Sequence, residues 1–260
     1  MEFILDFLRD TAWPLTDFQL FGPPHLALTL GGGFFVCFLA WKLRRSSERK
    51  LRLVFLVCAI LFWLIETYRQ LFAYHIIDQG DYQWWAFPFQ LSSMPIYISP
   101  LLAFLPTGKL SRSLCSFLAA FSTLSGVMAL LIPTYMISDY VVLTINSFIW
   151  HLLLLFVGLL AGLSGRAGKK WSDFRGAVTW LFVFAVIAIG LNISVKQLFG
   201  GTMNMFFIGP EITPIVVFRD VARRWGWGVN AIFYFFMLSL GGFLCYAPFV
   251  VFQKRRHTPG

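Results

Sequence analysis

The feature that most constrains this chain is a series of long apolar stretches separated by segments that alternate in charge. Seven stretches can be drawn, roughly 24–43, 51–76, 86–105, 112–132, 141–163, 175–198 and 229–252. Each is close to the ~20 residues that a hydrocarbon core of ~30 Å requires. Of 260 residues, 58% are hydrophobic and only 13% charged, which leaves too little polar surface for a soluble domain of this length. The 18% of aromatic residues suits lipid-facing surface and interfacial belts. The fold class expected is therefore all-α: a polytopic membrane bundle of seven transmembrane helices, with residues 1–260 forming a single integral membrane domain.

The formal charge of +9 is a topology signal. Segments 42–52, 106–112, 164–175 and 253–260 hold fifteen of the 21 basic residues and two acids, Glu48 and Asp173. The other loops and the spans together hold six bases and ten acids. Every alternate loop thus obeys the positive-inside rule, which places the N-terminus outside and the C-terminus in the cytoplasm. Because the charge is distributed in this way, no nucleic-acid partner is expected.

The four cysteines (Cys37, Cys58, Cys115, Cys245) all fall within spans, without CxxC spacing, and read as small core hydrophobes. The start, MEFILDFLRDTAWP, lacks a basic n-region and a small-residue cleavage site, so it does not read as a signal peptide. It resembles a short interfacial helix on the outer surface. No linker, low-complexity tract or internal repeat is visible. The longest connection, about thirty residues between the sixth and seventh spans, ends in IVVFRDVARRWGW (215–227). That piece reads either as a short helix lying on the interface or as a solvated charged turn. Gly158 and Gly162 in the fifth span, and the glycines at 31–33 in the first, offer close helix packing.

Polar groups inside hydrocarbon are costly, so their positions carry information. The second span carries Glu66, Arg69 and Gln70 on one face, with His75 at its outer end. The third carries Gln90, Ser92 and Ser93 in its first third. The fifth carries Asn146, Ser147 and His151, and the sixth carries Asn192, Ser194 and Lys196, with Asn204 just beyond. At about 1.5 Å per residue, Ser92 lies on the order of 10 Å, and His151 about 15 Å, below the outer surface. The clustering in the outer half predicts one polar pocket open towards the outside. Three prolines (Pro88, Pro95, Pro100) break the third span, and Pro95 is expected to bend it beside that pocket by removing a donor opposite the Leu91 carbonyl. A plain structural kink is the competing explanation. Glu66 has two ion-pair candidates, Arg69 and Lys196. His25 and His257, at the membrane edges, are assigned no role, and His75 is read as interfacial.

Three blocks, FPFQLSSMPIYISPLLAF, LTINSFIWHLLLL and GTMNMFFIGPE, resemble the signature blocks of the bacterial YwaF-type integral membrane family. That family is similar to the eukaryotic transmembrane protein 164 lipid acyltransferases. The similarity runs from roughly Glu66 into the last span. It implies residence in a bacterial cytoplasmic membrane, membrane lipids as partners, and fatty-acyl transfer between phospholipids by a cysteine in the broken helix with a histidine on a later one. Where the bacterial pattern reads FQLCS-x-PIY, this chain has Ser92 in place of the cysteine. Two adjacent histidines of that pattern appear here as Trp150 and His151.

A serine hydroxyl needs an adjacent base, and His151 is the one histidine placed deep in a span. Ser92 and His151 are thus the catalytic candidates for acyl transfer or ester hydrolysis. Gln90, Ser93, Glu66, Arg69, Asn146, Lys196 and Asn204 are candidates for binding substrate. No metal or cofactor constellation is visible. The competing function is a non-enzymatic membrane protein that binds or transports a small polar or amphipathic ligand; a structural component without a ligand is the third. Nothing in the sequence sets the oligomeric state.

Overall fold

The computed structural model describes residues 2–16, 18–199, 202–211 and 213–255. Arg256 and His257 of the basic tail, and Gly200, Gly201 and Ile212 of the long connection, lie outside the described residues. The architecture is all-helical, and among the described residues the only β-pairing is an isolated bridge between Pro14 and Tyr140. A short helix α1 (Glu2–Asp10) precedes α2 (Pro23–Leu43) and α3 (Glu48–Ile77). Then follow α4 (Leu91–Phe104), α5 (Lys109–Leu131), α6 (Val141–Leu163) and α7 (Trp171–Phe199). A short helix α8 (Val216–Trp225) leads into α9 (Trp227–Arg255). Among the described residues, six helices (α2, α3, α5, α6, α7 and α9) are long and apolar enough to cross a membrane.

Local chemistry sets the boundaries. Pro23 and Pro24 open α2, where a missing N–H leaves nothing unpaired. Ser47 caps α3 by accepting from the Lys50 N–H at 3.4 Å, with Glu48 in the first turn. Helix α8 ends at Gly226, whose φ of 85° lets the chain reverse into α9. Phe218 then meets Tyr234 edge to face with ring centroids 4.5 Å apart. The segment 215–227 is therefore a helix folded back on α9, with Arg219, Asp220, Arg223 and Arg224 on an unburied element.

Helix α5 is the axis of the bundle. Its residues Phe117, Leu118, Ala119, Ala120 and Phe121 have no exposed surface, and its middle widens to a π-turn over Leu118–Ser122. α6, α7 and α9 pack around it, while α2 lies on α6 and α3 pairs with α4. Glycines make the α5–α6 contact. A Cβ on Gly158 would stand 2.8 Å from both the Leu118 carbonyl oxygen and the Thr123 nitrogen, and one on Gly126 would stand 2.9 Å from the His151 carbonyl oxygen. Gly162 makes room for the Phe249 ring and Gly32 for the Leu152 side chain, so it is at Gly126 and Gly158 that small residues bring backbones together. Gly31 and Gly33 face open space.

The basic segments gather at one end. A single carboxylate oxygen of Glu48 accepts from Arg52 at 3.2 Å, from Arg166 at 2.8 Å and from the Thr107 hydroxyl at 3.0 Å. Gln253 near the end of α9 donates to the carbonyls of Gly162 and Leu163, at 3.1 and 2.9 Å. Three basic loops and the last turn of α9 therefore share one face, and the chain must return to that face between α3 and α5.

That return differs from the helix expected over 86–105. Only Leu91–Phe104 is helical, beginning with a tight 3₁₀ turn at Leu91–Ser93; the residues before it are irregular apart from a single turn at Trp84–Ala86. Pro95 sits in the first α-helical turn and so starts the helix, where its lack of an N–H is harmless; the Leu91 carbonyl is met by the Met94 N–H at 3.4 Å. The proline that does interrupt the ladder is Pro100, which leaves the Ile96 carbonyl without its helical donor. The Trp63 indole N–H of α3 takes that place at 3.2 Å. Trp63→Phe is expected to lower stability by about 1 kcal/mol, measured by thermal melting in detergent, because it strands that carbonyl and removes little packing.

Candidate functional site

Two non-helical segments enter the bundle at the end opposite Glu48, and five of the polar side chains singled out by sequence, Arg69, Gln70, Gln90, Asn192 and Asn204, are bonded to their backbones. Lipid offers no hydrogen bonds, so irregular backbone at this depth needs protein partners. On α3, Glu66 is held by Arg69 through two contacts of 3.0 and 2.5 Å and by Gln70 at 2.7 Å. Arg69 and Gln70 then both donate to the Ala86 carbonyl, at 2.7 and 2.6 Å. This trio anchors the segment that precedes α4. Lys196 pairs instead with Glu211 at 2.7 Å, so of the two candidates for Glu66 it is Arg69 that fills the role.

The second segment is the loop after α7. Met203, Met205, Phe206 and Ile208 are buried, so the loop plunges inwards. Phe206 and Phe207 both hold positive φ, 56° and 55°, a conformation bulky residues avoid and one that persists only where surroundings enforce it. Four side-chain amides do the enforcing. Asn192 of α7 accepts from the Met205 N–H at 2.6 Å and donates to the Met205 carbonyl at 3.1 Å. Gln90 accepts from the Phe206 N–H at 2.8 Å and donates to the Asn204 carbonyl at 3.1 Å. Asn204 accepts from the Gly209 N–H and donates to the Glu211 carbonyl, both at 2.8 Å. Asn230 of α9 donates to the Phe207 carbonyl at 3.2 Å. Gln90 thus ties the two irregular segments to each other.

Beside this junction stands the outer half of α6. Trp150 stacks edge-on against Phe62 at 4.9 Å and donates its indole N–H to the Ser92 carbonyl at 3.2 Å. That bond fastens α6 to the 3₁₀ turn carrying Ser92, which is half-buried, and Ser93, which is buried. Four residues before Trp150, on the same face, Asn146 has a buried Nδ2 with no hydrogen-bond partner. His151 follows Trp150 and places Nδ1 2.8 Å from the Ser147 carbonyl oxygen. A carbonyl can only accept, so Nδ1 carries the proton and Nε2 keeps its lone pair.

Sequence reasoning noticed Asn192 as a polar residue but gave it no part in the site, and passed over Asn230. The available signal was position: an amide within about two turns of a helix end next to a long connection. His25 is buried, between the rings of Phe21 and Phe148 at 5.2 and 5.7 Å. Among the described residues, no three His, Cys, Asp or Glu side chains gather as metal ligands do.

An all-helical bundle with six helices long and apolar enough to cross a membrane is an integral, multi-pass membrane protein. The model of the TMEM164 family matches residues 20–247, from the start of α2 to deep in α9, and the chain belongs to that family. No curated protein and no solved structure matches it.

Proposed function

We propose that the chain is a lipid acyltransferase or acyl hydrolase of the YwaF type, acting in a bacterial cytoplasmic membrane on an ester carbonyl near the outer surface. The irregular segment before α4 and α4 itself make a seventh crossing. The end carrying Glu48 faces the cytoplasm, because it gathers the basic loops, and the N-terminus lies outside. In this reading the Ser92 hydroxyl attacks the ester carbon while its proton passes to His151 Nε2. The lyso-lipid oxygen leaves with that proton, and the acyl-serine is then attacked by a hydroxyl of a second lipid (transfer) or by water (hydrolysis). Asn146 Nδ2 and the N-terminal end of α4 supply charge stabilisation for the oxyanion.

The observation that carries the proposal is the unpartnered Asn146 amide on the same α6 face as the Trp150–Ser92 bond. A buried donor without a protein partner is costly unless an acceptor from outside the chain meets it. Glu66, Arg69, Gln90 and Asn204 serve substrate binding indirectly, by shaping the two segments around Ser92. Of the remaining candidates, the half-exposed Lys196 is the one left to face the lipid. The test is reconstitution into vesicles containing an ester phospholipid, with acyl products followed by mass spectrometry. Turnover by the wild type that disappears in Ser92→Ala supports the enzyme. Turnover unchanged in Ser92→Ala, or none in the wild type, removes it and leaves ligand binding as the better account.

A further inference from the structure

Three grooves open on the outer face of α3 and α4, and neighbouring ones share lining residues. The first, about 650 Å³, is lined by Glu48, Arg49, Arg52 and Leu53 together with Leu56 and Phe104. Phe104 also lines a second groove of about 550 Å³ with Tyr97 and Leu101. Trp63 and Pro100 are shared by that groove and a third of about 620 Å³, which reaches Phe7 of α1. On α3 the lining residues 49, 52, 53, 56, 60, 63 and 64 recur at three- and four-residue intervals, which makes one stripe along the helix. The valley is apolar along its length and basic at one end only.

At the basic end the charges are unequal. The single carboxylate, Glu48, is already engaged by Arg52 and by Arg166, whose side chain is only 8% exposed. Arg49 is exposed and has no carboxylate partner among the described residues. A groove with an uncompensated guanidinium at its mouth and alkyl and aromatic walls beyond is complementary to an anion carrying long hydrocarbon chains.

We propose that the valley between α3 and α4 binds one anionic phospholipid, its phosphate at Arg49 and Arg52 and its acyl chains laid along α4 towards Trp63. The site lies at the opposite end of α4 from Ser92. It does not depend on acyl chemistry.

The test uses the full chain in nanodiscs containing equal phosphatidylglycerol and phosphatidylcholine, extracted mildly, with retained lipid counted by native mass spectrometry. The wild type should retain one phosphatidylglycerol in preference to phosphatidylcholine. Arg49→Gln should reduce that preference roughly fivefold, the effect of removing one basic contact with an anionic lipid. Leu101→Trp, which fills the groove from an exposed position, should lower retention of both lipids. Arg175→Gln removes the same charge from the basic face outside the groove and should change nothing. Equal retention of the two lipids by the wild type, or an Arg175→Gln effect as large as that of Arg49→Gln, would overturn the proposal.

Discussion

Asn192→Leu is expected to lower the melting temperature of the detergent-solubilised protein by about 10 °C, from a loss on the order of 3 kcal/mol. Asn192 is 1% exposed, and its amide both donates to and accepts from Met205, which has no exposed surface. Leucine fills nearly the same volume and supplies neither bond, so two backbone groups are stranded where no water reaches. Each such group costs roughly 1–3 kcal/mol. The damage should appear first as cleavage within 202–211 in limited proteolysis, because the bonds lost are those that tie the loop at Met205 to α7. Gly209→Ala should act in the same direction: a Cβ there would stand 2.7 Å from Asn192 Nδ2 and push the amide off its partner. Lys196→Met, one turn further along α7, is the contrast. Its ion pair with Glu211 is exposed, and losing it should cost under about 1 kcal/mol. Asn192→Leu melting with the wild type, its loop still protected, would show that the loop does not need Asn192 to hold its place.

This explains why the helices were easier to find in the sequence than the site. Hydrophobic length and the asymmetry of Lys and Arg are properties of a segment by itself, so α2, α3, α5, α6, α7 and α9 could be drawn within a few residues of their ends. The third stretch fails for a local reason. FPFQLSSMPIY is as apolar as its neighbours, and hydropathy does not register that Gln90 takes an extended backbone before the helix begins. The loop MNMFFI fails for the converse reason. Its apolar side chains suggest a lipid-facing surface, whereas they are buried against the bundle, and only the partners of its backbone reveal this. A polar residue in a span announces that some hydrogen bond is needed. It does not say whether the partner is a ligand or a distant stretch of main chain. For Glu66, Arg69, Gln70, Gln90, Asn192 and Asn204 the partner is main chain or another member of the set. Asn146 is the exception, with its Nδ2 unmatched.

The division has a chemical consequence. Amides that clamp the two segments make the surroundings of Ser92 rigid, since the turn at Leu91–Ser93 is fixed through Gln90 on one side and Trp150 on the other. Preorganisation of that kind lets a weak nucleophile and a neutral base act together, because little must be rearranged as charge develops.

If Ser92 and His151 act as that pair, Ser92→Ala and His151→Ala should each reduce acyl turnover by about a thousandfold or more, and the double variant should fall no further than the worse of the two. Non-additivity is the informative part: two residues that merely stabilise the fold would lose activity in proportion to stability, and their effects would add. Neither substitution breaks a hydrogen bond between helices, because the bond to α6 uses the Ser92 carbonyl, which alanine keeps, and His151 bonds within its own helix. Melting temperatures should accordingly stay within a few degrees of the wild type. Ser92→Cys should retain turnover and become sensitive to thiol alkylation, since a thiol is the better nucleophile and the base is unchanged. Trp150→Phe keeps the ring against Phe62 but releases the Ser92 carbonyl, so it should lower turnover by about tenfold at nearly constant KM, the signature of lost positioning. A Ser92→Ala protein that still moves acyl chains at the wild-type rate would end the case for this nucleophile, and His151 would then have only a bond to its own helix to its credit.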